Sequence, residues 1–335
     1  MYGSIPREVM MSKSVVYAGV DVGASELWVS VAGNQVKSFC HCVPGIRSLY
    51  RWVTRHAGKL DVHICIEATG VYSQHLAYRI LAERGAVVSL VNPACIHAFA
   101  RAQSRRSKTD RIDAEVIRQY AETQDPPVWQ PPTAVVRQLY TLVQQADVLK
   151  ANLRQWENRR HTQQFMIDLP DAVKKSQRAM ERSIQRQLEN IERAIERLCA
   201  EETELTQQIL LLETIPGVAR TSAVKLIAYG QHWLTQRSAK ELVAYAGLAP
   251  HQHQSGTSVR RRGRIDKQGN QHLRTALYMP ALSGITHNPQ LKRFYHRLCS
   301  SGKPKKVALT ACMKKLLVLA RAILINKKAY NPALT

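Results

Sequence analysis

Acidic side chains almost vanish from the last third of this 335-residue chain. From residue 213 onward only Glu213, Glu241 and Asp266 are acidic, against twenty-one Lys and Arg. Residues 1–212 are nearly balanced, with twenty-seven basic and twenty-two acidic side chains. The net charge of +23 therefore belongs to one segment, and a segment that basic suits a polyanion, nucleic acid first. Aromatic residues are scarce, at 6%, and no long amphipathic basic helix stands out there, which disfavours an anionic membrane surface. Long apolar runs are also missing. The best, LLVLARAILI, is interrupted by Arg321 and is shorter than the roughly 18–20 residues a span requires. The first apolar run, VVYAGVDVG, is too short and too polar at Asp21 for a secretory leader. Seven cysteines without a CxxC pair exclude a disulfide framework and read as reduced thiols. Cys40-His41-Cys42 is the one cluster, and alternation along an extended segment disfavours a metal site there. These exclusions leave a soluble, cytoplasmic protein, without membrane attachment, and with length for two or three domains.

What is present divides the chain into four parts. Residues 1–13 form a loose leader. From Val15, the runs SVVYAGVDVG, ELWVSVAG, DVHICIEATG and AVVSLVNPA read as strands, and residues 44–57 and 71–84 have helical spacing. Strands alternating with helices predict an α/β sheet covered on both faces over residues 14–135. Over 136–212, Leu139, Leu142, Ala146, Leu149, Leu153 and Trp156 make a heptad seam. A second seam runs through Ile184, Leu188, Ile191, Ile195 and Leu198 to Leu205, Ile209 and Leu212, and Asp168 and Pro170 separate the two. This is an antiparallel helical hairpin, a coiled-coil linker that packs on itself or also joins subunits. Residues 213–335 read as a compact, mainly helical unit. Its opening, Ile215-Pro216-Gly217-Val218, resembles the turn of a helix-hairpin-helix element, or is simply a turn between two core helices.

The acids that remain are oddly placed. Asp21 interrupts an apolar strand, where a carboxylate is costly unless paired or coordinated. Glu67 ends another strand, at the edge where open α/β sheets gather ligands. In SKTDRIDAE, Thr109 is an N-cap, and Asp110 and Asp113 share one face of the helix that follows. Such a pair also suits the helix dipole alone. Four acids on three elements can make an oxygen-rich site for Mg²⁺ or Mn²⁺, the ions that assist phosphodiester chemistry. Arg105, Arg106 and Lys108, just upstream, would meet phosphates.

The second unusual stretch is HQHQSGTSVRRRGRIDKQGNQHLRTALY. Ser255 lies in a turn beside Arg260, Arg261, Arg262, Arg264 and Lys267, which could clamp a phosphate near its hydroxyl. His251 and His253 are close in sequence, and surface histidines beside a basic loop are the plainer reading. Lys303, Lys305 and Lys306 form a further basic cluster for nucleic acid.

Taken in order, Asp21-Val-Gly, IEATG, VNPA, KTDRIDA, IPGV, AYAGLAP and SGTSVRRRGRIDKQG…LRTALYMP give the chain a family likeness over residues 14–330. It resembles the DEDD-type insertion-sequence transposases of family 110, the bridge-RNA-guided recombinases. The resemblance implies an N-terminal RuvC/RNase H-like mixed sheet with helices, a coiled-coil linker and a C-terminal transposase domain. It also implies that Asp21, Glu67, Asp110 and Asp113 are a metal tetrad, and that Ser255 becomes joined to DNA. The implied partners are donor DNA, target DNA and a structured non-coding guide RNA, worked on by a tetramer, a dimer of dimers, in the bacterial cytoplasm at the nucleoid. A site-specific DNA invertase would share every motif. A junction-resolving nuclease would need the acids and not Ser255, and a purely binding protein would need neither.

Overall fold

The computed structural model describes residues 15–83, 86–104, 109–231, 233–251, 254–255, 259–260, 264–265 and 269–332, with backbone alone at 34, 251, 254, 255, 259, 260 and 264. The leader expected over residues 1–13 lies outside them. The chain divides into two compact units, residues 1–131 and 132–335.

The first unit is built on a five-stranded mixed sheet. Its strands are β1 (Val15–Val22), β2 (Glu26–Val31), β3 (Gln35–Cys40), β4 (Asp61–Glu67) and β5 (Ala86–Val91), in the order β3-β2-β1-β4-β5. β1, β4 and β5 are parallel, whereas β2 and β3 return antiparallel. Strict alternation in β1 assigns each residue a face. Ala18, Val20 and Val22 point into a core with Leu49 and Val53 of α1 (Val43–Ala57) and Leu76 and Ile80 of α2 (Val71–Leu81). Tyr17 and Cys65 belong to the opposite face, where Ile96 of α3 (Pro93–Ala102) and Ile117 and Ala121 of α4 (Asp110–Gln124) close a second core. The sheet is thus covered on both sides, as its apolar runs predict. β3 is an addition to the four expected strands. QVKSFC is short, polar and half exposed, the signature of an edge strand.

The second unit is mostly helical. α5 (Ala134–Gln163) and α6 (Asp171–Glu201) form the expected hairpin, with the break at Pro170. Glu202 leaves helical geometry (φ −106°, ψ 98°) before α7 (Thr203–Glu213), so the second seam continues across a kink. α8 (Arg220–Gly230), α9 (Trp233–Gln236), α10 (Ala239–Tyr245), α11 (Gln271–Ala276), α12 (Tyr278–His287), α13 (Pro289–Ser300) and α14 (Lys305–Asn326) complete the unit. One core runs through it, from Leu139, Val143 and Ala146 of α5 to Leu212 of α7, Leu226 of α8 and Leu316 and Ala320 of α14. Each such large apolar side chain contributes about 1.5–3 kcal/mol by leaving water. None of the described helices is long and apolar enough to cross a membrane.

Two details depart from a purely helical reading. Short ladders β6 (Pro250–His251) with β9 (Arg264–Ile265), and β7 (Gln254–Ser255) with β8 (Val259–Arg260), pair antiparallel. The Ile215–Val218 turn packs against the core through its two apolar residues. Ile215 and Val218 are buried, and a Cβ on Gly217 (φ +101°) would lie 2.6 Å from the Gly284 nitrogen of α12.

Candidate active site

The site begins with an absent side chain. Gly19 stands on the α4 face of β1, and a Cβ there would lie 2.2 Å from Arg118 N and 2.4 Å from Ala114 O. Only glycine lets α4 lie this close to the sheet. α4 starts where Thr109 Oγ1 accepts from Ile112 N (3.3 Å), and its first turn carries Asp110 and Asp113. Two residues beyond Gly19, on the same face, is Asp21. In the parallel β1–β4 ladder Gly19 pairs with Cys65 and Val20 with Ile66, which sets Asp21 level with Glu67. All four acids expected from the sequence therefore gather at the carboxyl edge of β1 and β4, under the N-terminus of α4.

Their mutual field acts on Asp21. Its carboxyl is pushed up to about 6, first by burial and then by the negative charges of Asp113, Asp110 and Glu67, against a hydrogen bond from the Val22 backbone. Such crowding of like charge is destabilising in itself. Among the described residues no three His, Cys, Asp or Glu side chains stand close enough to enclose a metal ion. The acids are in electrostatic contact without forming a closed ligand shell. This still fits a hard divalent cation. Mg²⁺ keeps several waters and takes only one or two carboxylates directly, so an open, strongly anionic oxygen cluster suits it.

Neighbouring groups complete the setting. Trp28 pairs with Asp21 across β1 and β2, so the two side chains share a face. Its indole nitrogen is buried, with no hydrogen-bond partner among the described residues. Deeper along the face, His63 is 1% exposed, and its Nε2 lies 2.7 Å from Ser89 Oγ. Ser89 Oγ donates to the carbonyls of Pro126 and Pro127 (3.0 and 2.8 Å), so the His63 Nε2–H donates to Ser89. Burial pulls the His63 pKa down to about 4, with the Asp125 charge opposing it, and the ring is neutral. On the rim, His41 Nδ1 donates to Gly23 O (2.8 Å), and His75 Nδ1 lies 3.3 Å from His41 Nε2.

The serine expected to act as nucleophile belongs to the second unit. Ser255 pairs with Val259, and Gln254 with Arg260, so Ser255 closes the described part of β7 in a hairpin instead of occupying an irregular turn. The outer ladder pairs His251 with Arg264. Arg105, Arg106, Lys108, His253, Arg261, Arg262 and Lys267 lie outside the described residues. Lys303, Lys305 and Lys306 are exposed, the last two in the first turn of the 22-residue α14, which has no side-chain cap. Cations at the positive end of a helix dipole are unfavourable alone and favourable around an anion.

Sequence reasoning overlooked what supports the hairpin. A Cβ on Gly269 would lie 2.3 Å from both Gly247 N and Tyr245 O, so the foot of the hairpin rests directly on the turn after α10. Asn270 Nδ2 donates to Tyr245 Oη (2.8 Å), and Tyr245 stacks on Trp233 at 4.5 Å. Beside them Asp147 accepts from Lys225 Nζ (2.5 Å) and Tyr229 Oη (2.7 Å), while Tyr229 stacks on His272. Asp147 follows the seam residue Ala146, and a partly buried acid beside a packed seam needs a partner.

Comparison with known proteins identifies the family. Residues 18–163 match the transposase family of the DEDD IS110 type, and residues 210–296 match the "Transposase IS116/IS110/IS902 family". The pilin gene-inverting proteins of Moraxella bovis and Moraxella lacunata are each 31% identical over 326 residues, 96% of this chain and 98% of theirs. An uncharacterized 43.6 kDa protein of insertion element IS110 from Streptomyces coelicolor is 31% identical over 122 residues, 36% of this chain and 30% of its own. The class is that of DNA-rearranging transposases and invertases. Within it, the chain belongs to the IS110 family of transposases.

Proposed function

We propose that this protein is an RNA-guided DNA recombinase that cuts and rejoins donor and target strands through a phosphoserine link at Ser255. The observation that carries the reading is the gathering of Asp21, Glu67, Asp110 and Asp113 at one sheet edge, felt by Asp21 as burial plus three negative charges, in a chain of the DEDD-type family. These four would hold Mg²⁺ or Mn²⁺, which when bound offsets negative charge at a reacting phosphodiester. A RuvC-like role for the sheet accords with the parallel β1–β4–β5 half and with acids at strand ends.

Ser255 Oγ attacks the scissile phosphorus and loses its proton, and a deoxyribose oxygen leaves and gains one. The ester conserves the bond energy until a hydroxyl from the partner strand attacks phosphorus and releases the serine. Arg260, Arg261, Arg262, Arg264 and Lys267 hold the strand beside it, and Arg105, Arg106 and Lys108 hold phosphates beside the acids. Lys303, Lys305 and Lys306 extend the contact to nucleic acid, including the structured guide RNA. Because serine and acids belong to separate units, assembly into a dimer of dimers is the proposed working form.

A second reading, a site-specific DNA invertase, is favoured by the two Moraxella relatives, whose names describe inversion of a pilin gene and whose similarity covers almost the whole chain. The chemistry is the same, and the substrates differ. One experiment tests the mechanism: incubation with guide RNA, suicide DNA substrates and Mg²⁺, then denaturation. A protein–DNA adduct present in wild type and absent in Ser255→Ala supports it. Cleavage by Ser255→Ala at the wild-type rate, with no adduct in either protein, overturns it in favour of a water-using nuclease. A plasmid carrying inverted sites then separates inversion from transposition.

A further inference from the structure

On the rim of the first unit, two histidine nitrogens that the proposed DNA chemistry does not use face each other. His41 follows β3 and is held at two points. Its backbone N–H donates to Ser25 O and its Nδ1–H to Gly23 O, each at 2.8 Å. A carbonyl only accepts, so the proton is on Nδ1 and the Nε2 lone pair is bare. His75 is exposed on α2, and its Nδ1 lies 3.3 Å from His41 Nε2. Tyr72, three residues earlier on the same helix face, meets the His41 ring edge to face with centroids 5.9 Å apart. On the far side of His75, Arg79 Nε donates to Nε2 over a long 3.4 Å. Donation therefore runs one way, from Arg79 through His75 and His41 to Gly23 O. Burial, then the charges of His41 and Arg79, hold His75 below its ordinary pKa, so its ring is mainly neutral at pH 7.

We propose that His41 and His75 are a two-histidine site for a borderline divalent transition metal, zinc first. Two nitrogens bound to one tetrahedral Zn²⁺ at about 2.0–2.1 Å lie about 3.3–3.4 Å apart, and these two already stand at that distance. Imidazole suits such ions, whereas Mg²⁺ and Mn²⁺ prefer carboxylates like those of the acidic edge. The carbonyl that accepts from His41 Nδ1 is the outer support that orients a ligating ring and fixes its tautomer. Binding moves the His75 proton from Nδ1 to Nε2 and releases Arg79 to water, which frees the Nδ1 lone pair for the ion. Both rings then tilt so that the two lone pairs meet beside the line between them. Among the described residues no third His, Cys, Asp or Glu completes the set, so water fills the remaining positions. An ion held there ties α2 to the residue that grips the turn beginning two residues after Asp21.

The test uses the full-length protein without nucleic acid, so its outcome does not depend on whether the protein cuts DNA. Wild type is dialysed to equilibrium against Zn²⁺ with Mg²⁺ in large excess to occupy the acidic edge, and bound zinc is measured by atomic absorption. Wild type should hold an equivalent that His75→Gln binds at least about tenfold more weakly, since loss of an outer partner alone weakens a site that much. His75 is exposed, and the far-UV spectrum and metal-free thermal transition of the variant check its fold. Zn²⁺ should raise the thermal midpoint of wild type and leave that of His75→Gln nearly unchanged. Arg79→Ala removes the competing donor and a nearby positive charge, and should bind zinc more tightly than wild type. Equal zinc affinity in wild type and His75→Gln would overturn the proposal, as would binding no tighter in Arg79→Ala. Loss of the equivalent in Asp21→Asn would also overturn it, by placing the ion at the acids.

Discussion

Gly19 and Arg118 meet backbone to backbone: a methyl group on Gly19 would stand 2.2 Å from the Arg118 nitrogen. Nothing there can yield except α4 itself, which carries Asp110 and Asp113. Gly19→Ala should therefore destabilise the fold by roughly 1–3 kcal/mol, the usual range for overpacking. It should also lower strand cleavage more than the lost stability explains. Urea unfolding and a cleavage assay at a temperature where the variant is fully folded separate the two effects. A variant as stable as wild type would contradict the close approach.

Charge crowding at Asp21 gives a prediction with a sign. In metal-free buffer at neutral pH, Asp21→Asn should raise stability by about 1–3 kcal/mol, because it removes a half-buried charge from beside three others. Mg²⁺ or Mn²⁺ should raise the thermal midpoint of wild type and leave that of Asp21→Asn nearly unchanged. Strand cleavage should be lost in Asp21→Asn, Glu67→Gln, Asp110→Asn and Asp113→Asn alike. Destabilisation by Asp21→Asn without metal would count against a repulsive cluster.

His63 predicts an acid-side loss of stability. Its folded pKa of about 4 lies below the ordinary 6.5, so above pH 6.5 neither state is charged and nothing is gained. As pH falls from 6.5 towards 4, the unfolded chain takes up a proton that the folded chain refuses. Stability should then fall by up to about 3 kcal/mol. His63→Gln, which can still bond Ser89, should lose correspondingly less between pH 7 and pH 5 in urea titrations. Parallel curves for the two proteins would show that His63 ionises freely.

Lys305 and Lys306 at the start of α14 should bind phosphates. Their replacement by Gln should weaken nucleic-acid binding and lower the slope of log affinity against log salt by about 0.9 per lysine on duplex DNA. It should also leave the thermal midpoint unchanged or slightly higher, since two cations leave a helix N-terminus. Binding measured over a range of salt checks both. An unaltered slope would make this a solvated face.

Much of this was legible because β1 and β4 are apolar runs in which an acid is conspicuous. Asp21 and Glu67 stand out for that reason, and Asp110 and Asp113 follow from one capping residue and a spacing of three. What brings the acids together was not legible, because Gly19 announces no packing partner in the sequence. Trp28 shares the Asp21 face only through the β1–β2 register, which alternation alone does not fix. β3 was missed because Lys37 and Ser38 interrupt its apolar alternation, and the ladders around Ser255 because a run of arginines has no apolar face. The helical seams were legible in kind, while their burial is uneven: Leu139, Ala146 and Leu149 are buried, and Leu142, Leu153 and Trp156 only partly.

The grip of Lys225 and Tyr229 on Asp147 falls near the middle of α5. Towards the tip, no residue of that helix beyond Leu149 is fully buried, and the remaining fourteen residues extend about 20 Å. The turn at their end exposes Phe165, Met166 and Ile167, the last 96% exposed. The helix is thus a cantilever, clamped along its first half and unsupported along the second except by α6. Asp147, through Tyr229, thus ties the supported half of the helix to the layer of Asn270 and Tyr245 beneath the Ser255 ladder.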